Sequence, residues 1–475
     1  MAEQAPTRVS LSGVIVDDSF IDEEVTFSLL NGATSGLAEV MLSVTDGATT
    51  QVSSLEIGII DTADPLSDTE LEKQQIDVNI SIDEGLRYLY TRQQHDGSWE
   101  GSITRIGSTG FSLWALQNQG HLATNDVTQD ILARRVQAGL NYLFERCQVQ
   151  TGIAAPHADV ARGATANGVS DMNSNGQAIS FGPISIAGGP GSGWGYEHPI
   201  ATAALAASVS PNQVVNVGPA AGMTYKELGK DCMDMIGVGQ VDVIPARGGW
   251  RYVPTEFSSD MSINSWHYVA MEGLYVTFGI DIPDWILQEC ESNLIFHQAN
   301  LLGAVPFGYA DSNRLVGYPD GQATTGGGLS GLYAVELQGP HTAPGSVINA
   351  EPAPLNSVAA KRTAALDYLG EYWGEESFDF AEGNLGNLYA MWTVARALRL
   401  TAFALGLPSG EVVALENMGT SFDWETGEEN GSGVLAAPGS DREGYFSYLV
   451  RNQNPLSGGW SLDWMHPDLD TALAV

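Results

Sequence analysis

Hydrophobic residues recur with a helical spacing along most of this chain. From Ile82 onward, apolar positions fall three and four residues apart, as at Val136, Leu140 and Leu143. The pattern predicts twelve helices that pair into six helical hairpins. The predicted helices begin near Ile82 and continue over 109–119, 130–147, 200–209, 225–238, 262–278, 284–298, 325–337, 356–373, 384–405 and 442–452, with a last one from Asp470.

Residues 1–80 follow a different pattern, in which apolar and polar residues alternate and β-branched residues are frequent. Alternation of this kind predicts short antiparallel strands, here over 9–16, 25–29, 38–44 and 55–60. We therefore predict two parts: a β-strand module with a linker over 1–80, and six helical hairpins over 81–475 with a long loop insertion near 151–195. Exposed strand edges can pair with another chain, so the module predicts a homo-oligomer or a surface assembly.

An aromatic residue in a glycine-containing turn precedes several of the predicted helices. Trp194, Trp250 and Phe307 lie 56 and 57 residues apart, and related turns hold Trp99 and Trp460. A fixed period of this length indicates stacked repeats, each of which needs its neighbours to bury an apolar face. The six hairpins predict an α6/α6 toroid whose inner helices follow the aromatic turns. Because the chain ends soon after the twelfth helix starts, we expect either that the sequence is a fragment of a longer protein or that another segment completes the ring.

Two of these turns carry a longer pattern. Residues 93–99 (QQHDGSW) and 453–460 (QNPLSGGW) resemble the QW motif of the squalene/hopene cyclase and protein prenyltransferase superfamily. The turn around Trp250, followed by Asp260 and Trp266, is similar to the repeat of bacterial proteins of that superfamily. The resemblance covers about residues 80–475. It implies an α/α toroid and, for the cyclases, an apolar polyprenyl substrate inside the ring.

The catalytic pattern of the cyclases is incomplete here. By resemblance, the proton donor is the middle carboxylate of an Asp-x-Asp-Asp-Thr-Ala run, and residues 467–472 (PDLDTA) place Leu469 at that position. We therefore expect a non-catalytic protein that acts in binding or self-assembly. The alternative is a terpenoid or polyprenyl cyclase-like enzyme, with Asp470, Asp260 or His267 as acid or base. Asp470 can instead cap the last helix.

Aromatic residues on the predicted inner helices suggest a binding pocket. His267, Tyr268, Tyr333 and Trp392 are expected to line the ring centre, where they would contact an apolar or sugar ligand. The other interpretation of these side chains is ordinary packing in the core.

One loop has the oxygen ligands of a calcium site. Asp171, Asn173 and Asn175 occupy positions 1, 3 and 5 of a calcium loop, with glycine at position 6. The bidentate glutamate of position 12 is replaced by Gly182. The sequence therefore predicts either a loose calcium site or an Asn/Gly surface turn.

The cysteines do not form a recognisable metal or redox motif. The prenyltransferases bind zinc through an Asp-x-Cys pair, whereas Asp231 and Cys232 are adjacent, so the resemblance does not extend to zinc. Cys147 and Gln150 have the spacing of a complement-like thioester but lack its Gly-Glu core. Together with Cys290, these cysteines are expected to be buried thiols on helices.

The charge of the chain excludes one class of partner. The net charge is -37, with 57 acidic and only 20 basic residues. Because nucleic-acid binding needs clustered lysine and arginine, nucleic acid is not expected as a partner. No apolar run approaches the ~18–20 residues of a transmembrane helix, and no signal peptide is evident. Few lysines and exposed β edges favour an extracellular or cell-surface location.

Overall fold

The structure, a computed structural model, describes residues 9–10, 36–45, 50–59, 69–101, 104–151, 156–159, 165–169, 171–182, 193–254, 256–310, 321–338, 348–349, 351–374, 383–462 and 466–475. This part of the chain is mainly helical and contains twelve helices. They are α1 (Thr69–Arg92), α2 (Arg105–Asn118), α3 (Leu132–Glu145), α4 (Trp194–Ala207), α5 (Tyr225–Gly239), α6 (Met261–Phe278), α7 (Asp284–His297), α8 (Gln322–Glu336), α9 (Val358–Glu371), α10 (Leu388–Ala404), α11 (Tyr445–Asn452) and α12 (Pro467–Ala474).

The N-terminal strands form a small mixed sheet. β1 (Val9–Ser10), β2 (Gly36–Thr45) and β3 (Thr50–Ile59) are arranged in the order β1-β2-β3. β2 and β3 are antiparallel, as predicted, but β1 runs parallel to β2, so the prediction of a wholly antiparallel module is wrong. A parallel neighbour requires a long connection between the strands. The predicted strand over 25–29 lies outside the described residues.

Two helices begin earlier than their sequence pattern indicates. α1 starts at Thr69, within the segment predicted as module and linker, and continues without a break past Ile82. α4 starts at Trp194 rather than near Ile200, although it contains Pro199. Proline disfavours the interior of a helix. The fully buried Trp194 shows that packing outweighs this local preference.

The insertion between α3 and α4 contains strands that the sequence analysis did not predict. β4 (Cys147–Thr151) pairs with β7 (Gln177–Phe181), and between them β5 (Pro156–Asp159) pairs with β6 (Thr165–Val169), both antiparallel. Cys147 therefore begins a strand and does not lie on a helix. β7 is buried over its last four residues and packs against α4 and α5. A short antiparallel pair, β8 (Leu415–Asn417) and β9 (Thr420–Phe422), follows α10.

Six of the helices pack against one another in a continuous series. α2 contacts α4, α4 contacts α6, α6 contacts α8, α8 contacts α10, α10 contacts α12, and α12 returns to α2. The remaining helices lie against this series or, for α11, against α1. The helices that follow the aromatic turns are the members of the series.

Four glutamines make the same pair of hydrogen bonds at the ends of helices α1, α5, α7 and α11. Each is the first residue after its helix, and its Nε2 donates to a carbonyl in the following turn and to a carbonyl of another odd-numbered helix. The four are Gln93 (to Gly97 and Arg135), Gln240 (to Gly248 and Ile286), Gln298 (to Val305 and Lys361) and Gln453 (to Gly458 and Ser81). These side chains tie each turn to the neighbouring hairpin.

The aromatic residues of the turns are anchored in a repeated way. The indole Nε1 groups of three turn residues donate to main-chain carbonyls of the preceding helix over 2.8–2.9 Å. The pairs are Trp99 with Leu89, Trp250 with Ile236 and Trp460 with Leu449. The main-chain N–H groups of these tryptophans donate to side chains of the next helix, Thr109, Asn264 and Thr471. The recurring turn therefore joins consecutive helices through the hydrogen bonds of its buried aromatic residue.

Aromatic side chains from alternate members of the series meet in one cluster. The ring centroids of Trp266 (α6) and Trp392 (α10) are 4.6 Å apart, and those of Phe111 (α2) and Trp266 are 4.8 Å apart. Trp114 lies 5.2 Å from Trp392, and Tyr389 lies 5.6 Å from Trp266. Side chains thus fill the space where α2, α6 and α10 approach one another.

Candidate functional site

A cavity of about 460 Å³ lies beside this aromatic cluster. It is bounded by α1, α2, α10, α11 and α12, and by Trp424 and Trp460 from connecting segments. α12 packs against both α2 and α10, and its residues Ala472, Leu473 and Ala474 line the cavity.

Seven of the 25 residues that line the cavity are aromatic. Its volume falls in the range of small-molecule pockets, which are about 300–1,000 Å³ and mostly apolar. Among the described residues, the lining includes no aspartate, glutamate, histidine, cysteine or lysine. The aromatic lining residues are Phe111, Trp114, Trp392, Trp424, Tyr445, Phe446 and Trp460.

Two polar groups in the lining have unused hydrogen-bond donors. Arg396 forms an ion pair with Glu272 through Nη2, but its Nη1 has no partner among the described residues. The indole Nε1 of Trp424, a residue that is 2% exposed, likewise has no partner within that part of the chain. The Arg396 guanidinium lies 5.8 Å from the ring centroid of Trp114. A buried donor without an acceptor costs about 1–3 kcal/mol. Both donor atoms are inaccessible to solvent, so neither one opens onto the cavity.

Asp260 is a helix cap in a buried, tyrosine-rich environment. Its Oδ1 accepts hydrogen bonds from the main-chain N–H of Ser262, over 2.9 Å, and from the Ser262 hydroxyl. Burial raises the pKa of the Asp260 carboxyl, and hydrogen bonds from Ser262 and Tyr309 partly offset this. Tyr196 shares the Ser262 hydroxyl over 2.9 Å. Asp260 is not among the residues that line the cavity.

His267 packs between two tryptophans rather than in the aromatic cluster. Its ring stacks on Trp250 with a centroid distance of 4.6 Å, and Trp194 lies 5.5 Å away. The Nδ1 atom bonds the carbonyl of Ile263, so that Nδ1 carries the hydrogen in the neutral ring. Complete burial lowers the pKa of His267 to about 3. Of the side chains expected at the ring centre, Trp392 joins the cluster and His267 does not.

The carboxylates of α12 are held by hydrogen bonds to neighbouring segments. The N-cap of α12 is His466, whose side chain accepts from the N–H of Asp468, so the prediction that Asp470 caps this helix is wrong. Asp470 lies in the first turn and accepts from the N–H of Leu462 over 3.2 Å. Asp468, also fully buried, accepts from Tyr88 and Arg92 of α1. Leu469, at the position of the cyclase proton donor, is a buried core residue.

The predicted calcium loop lies against two carboxylates that the sequence analysis did not connect with it. Asp171 accepts from the N–H groups of Asn175 and Gly176, which closes the loop. Asn173 and Asn175 donate through Nδ2 to Asp231 on α5, at 2.6 Å and 3.1–3.2 Å.

Asp234, one turn further along α5, accepts from the N–H of Met172 over 3.0 Å. Burial raises the pKa of Asp231 and raises that of Asp234 to about 7, and the charge of Asp171 adds to both shifts. Three carboxyl groups are therefore held close together under this loop.

The cysteines are free, buried thiols. Cys147, Cys232 and Cys290 form no disulfide, and burial raises the pKa of each thiol. A raised pKa opposes the thiolate that zinc binding requires. Across the described ranges, no group of three or more histidine, cysteine or carboxylate side chains is arranged to hold a metal ion.

A buried serine–histidine pair was not foreseen from the sequence. The Ser259 hydroxyl lies 2.8 Å from Nε2 of His297, whose Nδ1 bonds the carbonyl of Gly308. Asn293 donates to Ser259 and connects the pair to Asn264 on α6. The geometry resembles a nucleophile with its base, but both residues are fully buried, so a substrate cannot reach them. Ser259 and His297 are 38 residues apart, so no short sequence motif predicts their contact.

Comparison with known proteins gives no assignment. In the part of the chain that the structure describes, no helix has the length and apolar character needed to cross a membrane. No protein-family model matches the chain, and no curated protein is significantly similar to it.

Proposed function

We propose that this chain is a non-catalytic α6/α6 toroid that binds an apolar ligand in the cavity between α1, α2, α10, α11 and α12. The observation that carries the proposal is the cavity itself, which has the volume of a small-molecule pocket and seven aromatic side chains in its lining. The cyclic series of contacts among α2, α4, α6, α8, α10 and α12 supports the toroid, since these helices would form its inner layer. The other six helices would then form the outer layer.

The lining of the cavity supports binding over catalysis. Cyclisation of a polyprenyl substrate requires an acid that protonates it, and general acid catalysis requires that group within hydrogen-bonding reach. Asp470, Asp260 and His267 are not part of the lining, and no other described aspartate, glutamate or histidine side chain is part of it. The aromatic cluster occupies the space between α2, α6 and α10, where a cyclase-like enzyme would hold its substrate.

Fluorescence of N-phenyl-1-naphthylamine, an uncharged apolar probe, tests the proposal on the full chain. We expect a saturable increase in emission with the native protein. Ala115→Trp and Ala395→Trp, at two lining positions, should abolish this increase because the larger side chains fill the cavity. Ala359→Trp, at an exposed position on α9, is the matched control and should bind the probe normally.

The proposal would be overturned if the probe did not bind the native chain, or if it bound both lining variants with unchanged affinity. Circular dichroism and the melting temperature of each variant establish that it is folded.

A second proposal concerns calcium at the loop of Asp171, Asn173 and Asn175. Calcium prefers carboxylate and amide oxygens, and Asp231 and Asp234 add two carboxyl groups to those of the loop. A rotation of the side-chain amides of Asn173 and Asn175 by half a turn would place their oxygens, instead of their N–H groups, beside Asp231. Burial is the main cause of the raised pKa values of Asp231 and Asp234, and a bound cation would offset the repulsion among the carboxylates that adds to it.

Melting temperatures in calcium chloride and in EDTA test this second proposal. We expect calcium to raise the melting temperature of the native chain by a few degrees, through preferential binding to the folded state. Asp231→Asn should lose the shift, whereas Asp441→Asn, at an exposed position, should keep it. Equal melting temperatures of the native chain in both buffers would contradict calcium binding at this loop.

We also propose self-assembly through the N-terminal strands, at the cell surface or outside the cell. β3 pairs only with β2 within the described residues, and its other edge could pair with a second chain.

A further inference from the structure

Three consecutive repeats place a tyrosine at the same position. Tyr196, Tyr252 and Tyr309 each follow the aromatic residue of their turn by two positions, and they lie 56 and 57 residues apart. The turns of Trp99 and Trp460 have glycine and leucine there. A side chain that recurs in consecutive repeats forms a row along one surface, which is how repeat proteins build extended binding sites.

The structure brings the three tyrosines together. The N–H of Gly195 donates to the carbonyl of Tyr252 over 3.2 Å, and the N–H of Met261 donates to the carbonyl of Tyr309 over 2.8 Å. The ring centroids of Tyr196 and Tyr252 are 6.1 Å apart, and the hydroxyl oxygens of Tyr252 and Tyr309 are 3.5 Å apart. All three residues are partly exposed, so the row reaches the surface.

Two of the hydroxyl groups have hydrogen-bonding capacity left. The 3.5 Å between Tyr252 and Tyr309 exceeds the usual O–H···O distance of about 2.5–3.0 Å, so this contact is weak. Tyr309 is hydrogen-bonded to the buried Asp260 carboxylate, and its oxygen retains a lone pair as an acceptor. Tyr196, whose hydroxyl lies 2.9 Å from that of Ser262, contributes mainly its ring.

Two further side chains flank this row. The guanidinium of Arg251 lies 5.3 Å from the ring centroid of Tyr252, and its Nη1 donates to the carbonyl of Ser259 over 3.2 Å. Phe257, on the loop between Tyr252 and Asp260, is 75% exposed. The surface therefore combines aromatic rings with hydroxyl and guanidinium groups.

We infer that the tyrosine row, Tyr196, Tyr252 and Tyr309 with Arg251 and Phe257, binds a neutral linear oligosaccharide. A sugar ring has apolar C–H groups on its faces and hydroxyl groups at its edge, which match the apolar ring and polar tip of tyrosine. Tyrosine also supplies this contact area at a low cost in conformational entropy.

The arrangement and the charge of the chain support this class of ligand. Sugar units repeat along an oligosaccharide as the tyrosines repeat along the row, so one chain can contact several rings. The net charge of -37 disfavours an anionic polysaccharide. The residues of the row are not part of the cavity lining, so this site is separate from the apolar one.

Isothermal titration calorimetry of the full chain with cellohexaose, xylohexaose, chitohexaose and mannohexaose tests the inference. We expect at least one of these neutral hexasaccharides to bind. Tyr252→Ala and Tyr309→Ala should each weaken its affinity at least about tenfold, because an aromatic anchor is lost. Tyr252→Phe and Tyr309→Phe keep the rings and should weaken it about three- to tenfold. Phe403→Ala, at a 74% exposed aromatic position on α10, is the matched control and should bind normally.

Binding of none of the four hexasaccharides would overturn the inference, as would equal affinities of the native chain and all four tyrosine variants. Melting temperatures establish that each variant is folded, and the phenylalanine variants carry the comparison if an alanine variant is not. Tyr252→Ala should bind N-phenyl-1-naphthylamine like the native chain. Failure of the native chain to bind that probe would overturn the proposed function and leave the oligosaccharide site standing.

Discussion

The side-chain amide of Gln453 donates a hydrogen bond to the main-chain carbonyl of Ser81 over 2.8 Å, and these residues are 372 positions apart in the sequence. The same amide donates to the carbonyl of Gly458 over 2.7 Å. One side chain therefore joins the end of α11, the following turn and the first helix. Gln93, Gln240 and Gln298 make equivalent bonds between neighbouring hairpins, so the last hairpin meets the first by the same contact.

Replacement of Gln453 should destabilise the whole chain. In Gln453→Ala the carbonyls of Ser81 and Gly458 lose their donor in a partly buried position, which should lower the free energy of unfolding by about 1–3 kcal/mol. Gln129→Ala, at an exposed position, should change it by less than about 0.5 kcal/mol. Urea denaturation followed by circular dichroism measures both. Equal stability of the two variants would show that the hydrogen bonds of this amide do not stabilise the chain.

The glycine of the Trp250 turn should tolerate no side chain. Gly248 has a φ of +84°, and an added Cβ would lie 1.8 Å from the carbonyl oxygen of Glu289 on α7. Gly410 has a similar φ of +88° but open space around it. Gly410→Ala should therefore lower the free energy of unfolding only by the left-handed backbone penalty of about 1–2 kcal/mol. Gly248→Ala should lower it by several kcal/mol more, because the added Cβ also clashes with the carbonyl of Glu289.

Thermal and urea unfolding of both glycine variants provide the comparison. A cost for Gly248→Ala no larger than that for Gly410→Ala would contradict the close approach of this turn to α7.

Asp234 should make stability depend on pH. Burial raises its pKa from 3.8 to about 7, so the folded state holds the proton more tightly than the unfolded state does. The resulting stabilisation is complete below about pH 4 and is lost as the pH rises towards 7 and above. In EDTA at pH 8, Asp234→Asn should be more stable than the native chain by up to about 4 kcal/mol, since one pKa unit corresponds to about 1.4 kcal/mol.

The difference should shrink towards pH 5, where the native carboxyl is largely protonated. Asp281→Asn, at an exposed position, should show no such trend. Denaturant unfolding across this range gives the free energies, and a constant difference between Asp234→Asn and the native chain would argue against a raised pKa.

Assembly should depend on the N-terminal strands. Deletion of residues 1–68 removes β1–β3 and leaves α1, which contributes buried Leu86 and Leu89 to the core, intact. We expect the full chain to form oligomers and the shortened chain to be monomeric in size-exclusion chromatography with light scattering. If both chains have the same number of subunits, the strands are not the site of assembly.

Much of the helical architecture could be predicted from the sequence because its signals are local. Apolar periodicity predicted twelve helices, and each has a counterpart in the structure. The glycine and aromatic residues of the recurring turn lie within a few positions of one another, and Gln93 and Gln453 were part of the recognised pattern. Gln240 and Gln298 were missed, although they make the same bonds, because their surrounding sequence differs.

The candidate site could not be predicted in this way. His267 was expected at the ring centre, but its position between Trp194 and Trp250 depends on three separate segments. Asp231 meets Asn173 across 58 residues of sequence, and the strands between α3 and α4 bring them together. The chemical character of a buried group is set by such neighbours.

The sequence by itself determined the helices, the repeated turns and the net negative charge. Periodicity and backbone preferences act over a few residues, so the linear order of the chain expresses them directly. Only the tertiary structure decided which helices contact one another, which side chains line the cavity between them, and which buried donors have no acceptor among the described residues. Those properties depend on contacts between distant segments, whose energies are fixed only when the helices pack.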